Sequence, residues 1–200
     1  MSIEYPSALD APTFKPNNYD TFHVSHQWYS QSPLLIPSQQ LANPGANLLN
    51  AIPLIVTRNI YIDDLGILLT TASATPGATA RLGIYEADPD TLYPTNRVVD
   101  SGDLAVDGAT GIISNPFGTP IQLLANKLYW MVYLSSIGDE KCIGPGIGSI
   151  GLLGFNMTAQ TNNDCWQKAF AYAALPLTFP SGGAITNTGA GILSIFYHTV

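Results

Sequence analysis

Residues 126–136, "NKLYWMVYLSS", decide the fold class of this chain. Apolar or aromatic side chains fill alternate positions of this stretch, and they also fill the positions in between. One face of an extended segment carries Leu128, Trp130, Val132 and Leu134, and the other carries Tyr129, Met131 and Tyr133. Because neighbouring side chains of a strand point to opposite faces, both faces of this strand must be covered. The stretch therefore predicts a strand at the centre of a β-sandwich.

Other stretches with the same period of two lie on both sides of this strand. They are residues 52–71, "IPLIVTRNIYIDDLGILLTT", residues 78–87, "ATARLGIYEA", and residues 190–200, "AGILSIFYHTV". Turn-forming clusters separate them: "SATPGAT", "EADPDT", "DGATG", "NPFGTP" and "SGGAITNTGAG". Regular strands with such punctuation, and no helical period sustained over about ten residues, predict an all-β protein, a jelly-roll-like antiparallel β-sandwich. We place this body at residues 51–200.

The N-terminal residues 1–50 have a different pattern. Prolines recur among Asn, Ser and Gln, and proline at this density disfavours a central strand or a long helix. Aromatic side chains punctuate the segment, whereas disordered linkers are poor in aromatic residues. We predict an extended Pro-rich arm that anchors the chain on its own body, on a neighbouring subunit or on a larger particle. The predicted contact residues are Tyr19, Phe22, Trp28 and Tyr29.

Composition excludes several classes of function. Only 10% of the residues are charged, and the net charge is -7 with seven Lys and Arg, which argues against a nucleic-acid partner. The longest apolar run, Leu128 to Leu134, is far shorter than the about 20 residues that span a bilayer, so no membrane insertion is expected. The N-terminal stretch "MSIEYPSALDAPTFK" lacks the charged and apolar regions of an export signal, which predicts assembly in the cytoplasm.

The stretch "GPGIGSIGLLG", residues 144–154, contains the Gly-x-Gly-x-x-Gly spacing of a dinucleotide-binding turn at Gly146, Gly148 and Gly151. Such a turn follows a parallel strand, opens a helix, and is followed by an acidic residue about 20 positions on. Here the next acidic residue, Asp164, comes too early, and the intervening sequence reads as strand and loop. We predict that these glycines permit positive φ and close backbone approach, and that the chain binds no cofactor.

No part of the chain has convincing spacing for metal ligands. Cys142 and Cys165 are two distant thiols that are either buried singly or joined in a disulfide. His23 and His26 are flanked by residues that favour extended chain, and "EADPD", residues 86–90, lacks the spacing of a calcium loop. We therefore predict no metal site. Nucleophile motifs such as Gly-x-Ser-x-Gly are missing as well, so no catalytic residue is predicted.

Aromatic residues beside turn-rich segments are the candidate ligand-binding residues. They are Tyr85, Tyr93 and Trp166. Aromatic rings with neighbouring amides and hydroxyls are how a weakly charged protein holds sugars or another protein. Core packing is the alternative role for each of these residues taken singly.

Several of these stretches together resemble a β-sandwich module that recurs in virion proteins of tailed bacteriophages, especially tail fibres. The resemblance covers about residues 50–200. Its features are "ARLGIY" at residues 80–85, Tyr93-Pro94, the Asp-x-Gly step at residues 100–102, "LYW" at residues 128–130 and "LP-x-TFP-x-G" at residues 175–182. The resemblance implies a non-enzymatic structural protein of the virion surface, either a tail fibre or receptor-binding component or, as the alternative, a capsid decoration protein.

The same resemblance implies a homotrimer that binds other virion proteins, because surface modules of this kind commonly form trimers. Strand edges in a chain with so few charges favour such association. A function from a different class is a carbohydrate-binding or glycan-cleaving protein that acts on host-surface sugars. Its acidic groups would be Glu86, Asp88 and Asp90, which lie near Tyr85 and Tyr93 in the sequence.

Overall fold

The computed structural model describes residues 26–30, 37–42, 44–145, 155–156, 161–162, 165–186 and 193–200. Within these ranges the chain is all β, with two antiparallel sheets packed face to face, and the predicted sandwich is confirmed. None of these residues forms a helix that is long and apolar enough to cross a membrane. In chain order the strands are β1 (Trp28–Ser30), β2 (Pro37–Ala42), β3 (Leu48–Val56), β4 (Ile60–Thr71), β5 (Thr79–Ala87), β6 (Pro94–Asp100), β7 (Leu104–Ala105), β8 (Gly111–Leu123), β9 (Lys127–Ser135), β10 (Lys141–Pro145), β11 (Phe155–Asn156), β12 (Thr161–Asn162), β13 (Cys165–Ala169), β14 (Ala184–Thr186) and β15 (Ile195–Thr199).

The first sheet is built around β4. On one side β4 pairs with β8 from Ile60 to Leu69. On its other side β15 pairs with residues from Ile62 to Ile67, and β10 continues the pairing as far as Thr71. β1 flanks β15, and β2 flanks β10. Because all of these pairings are antiparallel, β1 and β2 run in the same direction along one edge of the sheet.

The boundary predicted at residue 50 does not separate an arm from the body among the described residues. β1 and β2 come from the predicted arm, yet both are strands of the first sheet, and β3 begins at Leu48. Proline is compatible with this placement because an edge strand has backbone groups that no neighbour needs. Residues 26–30 and 37–42 therefore belong to the sandwich.

Trp28 and Tyr29 make their described contacts with their own chain. The Tyr29 ring lies 5.9 Å from the ring of Tyr197 and packs against the core, whereas Trp28 lies on the outer face of the first sheet. The other two predicted contact residues, Tyr19 and Phe22, lie outside the described residues.

The second sheet has the strand order β14-β13-β3-β9-β5-β6, and β7 pairs with the start of β5. β9 is central, as predicted, and pairs along its length with β3 and β5. β11 and β12 form a separate two-stranded ladder.

The main hydrophobic core fills the space between the two sheets. Tyr129, Met131 and Tyr133 supply the inward face of β9, and Tyr133 donates a hydrogen bond to the fully buried Glu140 at 2.5 Å. The first sheet supplies the opposite wall through alternate residues of β4 and β15. Further fully buried members are Ile52, Leu54, Ile62, Leu65, Ile67, Leu69, Leu82, Ile84, Leu123 and Ile195.

A second hydrophobic cluster lies on the outer face of the second sheet. Its roof is residues 170–183, here called the cover segment, which leaves β13, crosses to β6 and returns to β13 as β14. Leu175 and Phe179 project from this segment into the cluster. The floor is Leu49, Ala51, Tyr85, Trp130, Val132 and Leu134. Both faces of β9 are therefore buried, one under a sheet and the other under an irregular segment.

"NPFGTP", residues 115–120, was expected to be a turn but lies inside β8, where the register with β4 shifts opposite Ile62 and Asp64 and accommodates the extra residues. Cys142 and Cys165 are both buried and are not joined in a disulfide, and burial raises the pKa of Cys142 to about 12. The glycine motif at residues 146–151 and His23 lie outside the described residues.

Candidate functional site

Tyr93 and Trp166, two of the three predicted ligand residues, meet on the outer face of the second sheet. Their ring centroids are 4.6 Å apart and their planes are tilted by 32°, so the rings stack. Tyr93 remains 49% exposed, whereas Trp166 is only partly exposed and packs against the outer cluster. We call this pair the aromatic platform.

The loop of residues 88–93 holds Tyr93 in place. One oxygen of the Asp88 carboxylate accepts hydrogen bonds from the amides of Asp90 and Thr91 and from the Thr91 hydroxyl. The backbone amide of Asp88 in turn donates to the carbonyl of Tyr93 at 2.7 Å. The hydrogen bonds from Thr91 and Asp90 hold the pKa of the Asp88 carboxyl below its ordinary value. Asp88 is therefore committed to shaping the loop.

Leu92 has an unusual backbone conformation within this loop. Its φ is +63°, a region that a leucine rarely adopts, and its side chain is 54% exposed. The Trp130 indole nitrogen, in the middle of β9, donates to the Leu92 carbonyl at 2.9 Å. A residue of the sheet thus fixes the strained turn from below.

Strand β13 supplies the other half of the platform. Trp166 pairs with Ala51 of β3 on one side and with Ile185 of β14 on the other. A side chain at Gly183 would collide with the Trp166 indole, so this glycine allows the end of the cover segment to lie against the ring. Lys168, two residues further along the strand, contacts the Gly182 carbonyl at 3.4 Å.

The third predicted ligand residue, Tyr85, is not on the surface. It is fully buried under the cover segment, where its ring meets Phe179 edge-on at 5.3 Å. Its hydroxyl donates to the Pro176 carbonyl at 2.7 Å, and burial raises the pKa of Tyr85. The alternation of β5 explains this placement, because Tyr85 points to the outer face that the cover segment closes. Tyr85 offers no ring face to a ligand.

A polar network ties the cover segment to the sheet edge. The Asp100 carboxylate accepts hydrogen bonds from Arg81 at 2.8 Å, from the Leu175 amide at 3.0 Å and from Arg97 at 3.3 Å. Arg97 also donates to the Leu175 carbonyl. The Tyr172 hydroxyl donates to Asp103 and, together with Arg81, lowers the pKa of that carboxyl.

A second site, on the outer face of the first sheet, was not predicted as a ligand site. The Trp28 ring lies 5.2 Å from the ring of His198, and its Cζ3 atom is 3.1 Å from the position a Gly66 Cβ would take. Beside it opens an apolar groove of about 120 Å³. Its walls are Trp28, Gly66, Ile67, Leu68, Ile112 and Phe196. The groove exists because glycine leaves a gap between large side chains.

Two adjacent carboxylates lie next to this groove because of an irregularity in β4. The register with both neighbours shifts at Asp63, while Ile62 and Leu65 both point into the core. Asp63 contacts Nδ1 of His198 at 2.6 Å. Asp64 accepts a hydrogen bond from the Ser114 hydroxyl at 2.7 Å, and its other oxygen is buried without a partner among the described residues. Burial raises the pKa of Asp64.

Within the described ranges, no group of three or more His, Cys, Asp or Glu side chains could hold a metal ion.

The platform presents aromatic carbon and hydroxyl groups, so its chemistry suits binding of an apolar or sugar surface. Sequence reasoning missed the Trp28 groove, because the groove forms where Trp28, Gly66 and Ile112 meet from three different strands. It missed the bulge, because strict alternation places Asp63 and Asp64 on opposite faces. No protein-family model matches this chain, and the curated proteins likewise contain no match to it.

Proposed function

We propose that this chain is a non-enzymatic structural protein of a bacteriophage virion surface, with the sandwich displayed outward and the N-terminal residues as its anchor. Within that class we favour a tail fibre or receptor-binding component, and a capsid decoration protein is the alternative. The proposal rests on the resemblance of residues 50–200 to the phage module. The protein is then assembled in the host cytoplasm and resides in the virion.

One observation carries the proposal: the motifs of the resemblance converge on one structural assembly. Gly83, in "ARLGIY", leaves room for Leu175 of the "LP-x-TFP-x-G" stretch, because a Cβ at Gly83 would collide with the Leu175 side chain. Asp100 of the Asp-x-Gly step binds the Leu175 amide. Trp130 of "LYW" fixes the turn that precedes Pro94. The shared stretches are thus the parts that close the outer face of the second sheet.

Because β1 is a strand of the sandwich, we place the proposed anchor before residue 26. Since β1 and β2 are strands of the sandwich, the anchoring role that we predicted for residues 1–50 narrows to residues 1–25. Tyr19 and Phe22 belong to that segment, and they are the side chains that we propose contact the rest of the particle.

The test is incorporation of variant proteins into particles. A chain lacking residues 1–25 should fold with a normal melting temperature but be absent from purified particles, because it keeps every described strand. A chain lacking residues 1–12 keeps Tyr19 and Phe22 and should still be incorporated, whereas Tyr19→Ala/Phe22→Ala in the intact chain should not. Normal incorporation of the chain lacking residues 1–25 would refute the anchor.

Copy number separates the two places on the particle. A number that matches the capsid lattice indicates decoration, whereas a number that matches the tail symmetry indicates a tail component.

We further propose a homotrimer, which sedimentation of the purified protein tests. A protein that stays monomeric at high micromolar concentration would refute self-association in solution.

A further inference from the structure

We infer that the aromatic platform of Tyr93 and Trp166 is a binding site for an uncharged pyranose ring of a host-surface glycan. This inference rests on the proposed function, since a receptor-binding component needs a receptor site. It goes beyond that function by naming the site and the chemical class of its ligand.

The exposed face of Tyr93 is the contact surface. Trp166 packs against the Tyr93 ring with a centroid distance of 4.6 Å, and Tyr93 is still 49% exposed. The C–H groups of a pyranose form an apolar face that stacks on an aromatic ring, while the hydroxyls at the ring edge stay hydrated or bind polar neighbours. A tyrosine whose lower face is already packed is a platform for such stacking.

The platform is rigid before any ligand arrives. Asp88 closes its loop with three hydrogen bonds, Trp130 holds the Leu92 carbonyl, and Trp166 stacks under Tyr93. Binding to a preorganised surface costs little conformational entropy, which matters for a ligand that makes few contacts. The strained φ of Leu92 persists only because these contacts over-determine it, and such strain is concentrated at functional sites.

The charges around the platform select against acidic sugars. Asp88 and Asp90 lie in the loop that carries Tyr93. Lys168 is the described cation on the Trp166 strand, and it faces the Gly182 carbonyl. Two carboxylates in this loop against one ammonium on β13 repel sialic and uronic acids and leave neutral hexoses as the favoured class.

The experiment measures binding of the intact protein to immobilised oligosaccharides. Neutral glucose-, galactose- and mannose-based oligosaccharides are compared with sialylated and uronic-acid oligosaccharides at equal density. We expect binding to at least one neutral class, a loss of at least about tenfold in Tyr93→Ala, and retention in Tyr93→Phe. The matched control is Tyr61→Ala, which removes an equally exposed tyrosine (51%) from the first sheet and should leave binding unchanged.

Four outcomes would overturn the inference. They are no binding to any neutral oligosaccharide, preference for acidic sugars, equal binding by Tyr93→Ala, and self-association that depends on Tyr93 without sugar binding. Melting temperatures of the variants show whether each is folded. Tyr93→Ala should enter particles normally, so failure of the glycan site leaves the incorporation assay intact, whereas failure of the proposed anchor appears only in the N-terminal deletions.

Discussion

The two sheets share one core but differ in what lies on their outer faces. The outer face of the second sheet is closed by the cover segment, whose Leu175 and Phe179 complete a second hydrophobic cluster. The outer face of the first sheet carries the side chain of Trp28, a glycine gap at Gly66 and the acidic bulge at residues 63–64. On the outer face of the second sheet, the side chains are therefore buried together in one cluster. On the outer face of the first sheet, burial depends on single side chains.

Outside the main core, the stability of the molecule resides mainly on the second sheet. Apolar burial and the hydrogen bonds of Asp100 stabilise the cover segment, residues 170–183. Both contributions are lost if the segment detaches from the sheet. The first sheet offers no comparable second cluster among the described residues. Substitutions under the cover segment should accordingly cost more than substitutions on the opposite outer face.

The largest expected effect comes from Leu175→Ala. This side chain is 1% exposed and fills the space over Gly83, so its truncation should lower the free energy of unfolding by about 3 kcal/mol. Denaturant unfolding measures the loss. Leu177→Ala is the matched control, because Leu177 is 73% exposed in the same segment and should change stability by less than about 0.5 kcal/mol. Equal effects of the two substitutions would contradict a buried outer cluster.

Gly83→Ala should have the next largest effect. An added Cβ would meet Leu175 and would lie 2.7 Å from the Val99 carbonyl, which is backbone and cannot move freely. We expect a loss of about 2 kcal/mol, with faster amide exchange at Arg97, whose amide donates to the Leu177 carbonyl of the cover segment. Gly108→Ala adds a Cβ in open space and should be close to neutral. Unchanged exchange at Arg97 would mean that the cover segment does not depend on this glycine.

Tyr85→Phe separates the hydrogen bond from the burial. The ring stays under the cover segment while the bond to the Pro176 carbonyl is lost, so the free energy of unfolding should fall by about 1 kcal/mol. Thermal melting of this variant is compared with that of Tyr61→Phe, which removes a hydroxyl from an exposed ring. A stability equal to that of the wild type would show that the Pro176 carbonyl finds another donor.

Asp64→Asn tests the first sheet and should have the smallest effect. Burial raises the folded-state pKa of Asp64, so the charged form destabilises the fold, and stability from this group is lost as pH rises through that pKa. The amide variant should be more stable than the wild type at neutral pH. The difference should vanish below the ordinary aspartate pKa, where both side chains are uncharged. Denaturant titrations at several pH values measure this, and Asp90→Asn, in an exposed loop, is the control. A gain that persists at low pH would refute the electrostatic cause.

The sequence was informative about regular burial and less informative about irregular packing. The apolar residues on both faces of residues 128–134 correctly predicted a strand covered on both sides. The sequence did not show that one cover is a non-repetitive segment, because residues 170–183 have no period that identifies what they bury. Tyr85 was misplaced on the surface for the same reason.

The aromatic platform was partly predictable. Tyr93 and Trp166 stood beside turn-rich stretches, but their contact joins a loop to a strand 73 positions away, and spacing alone does not encode such a meeting. The bulge at Asp63 and Asp64 was not predictable, since it arises where the register of β4 shifts against both of its neighbours, β8 and β15. The aromatic platform and the bulge both depend on how segments that are far apart in the sequence pair in the fold.

The pairing of β1 with β15 joins the two ends of the described chain and imposes an order on folding. The Thr199 side chain reaches the Gln27 carbonyl across a separation of 172 residues, and β4 remains open on one side from Ile62 to Ile67 until β15 arrives. During synthesis, this edge of the central strand therefore keeps unpaired backbone groups until residues 195–199 have been made. Such late closure predicts slow folding and makes prematurely ended chains prone to pair with one another through that edge.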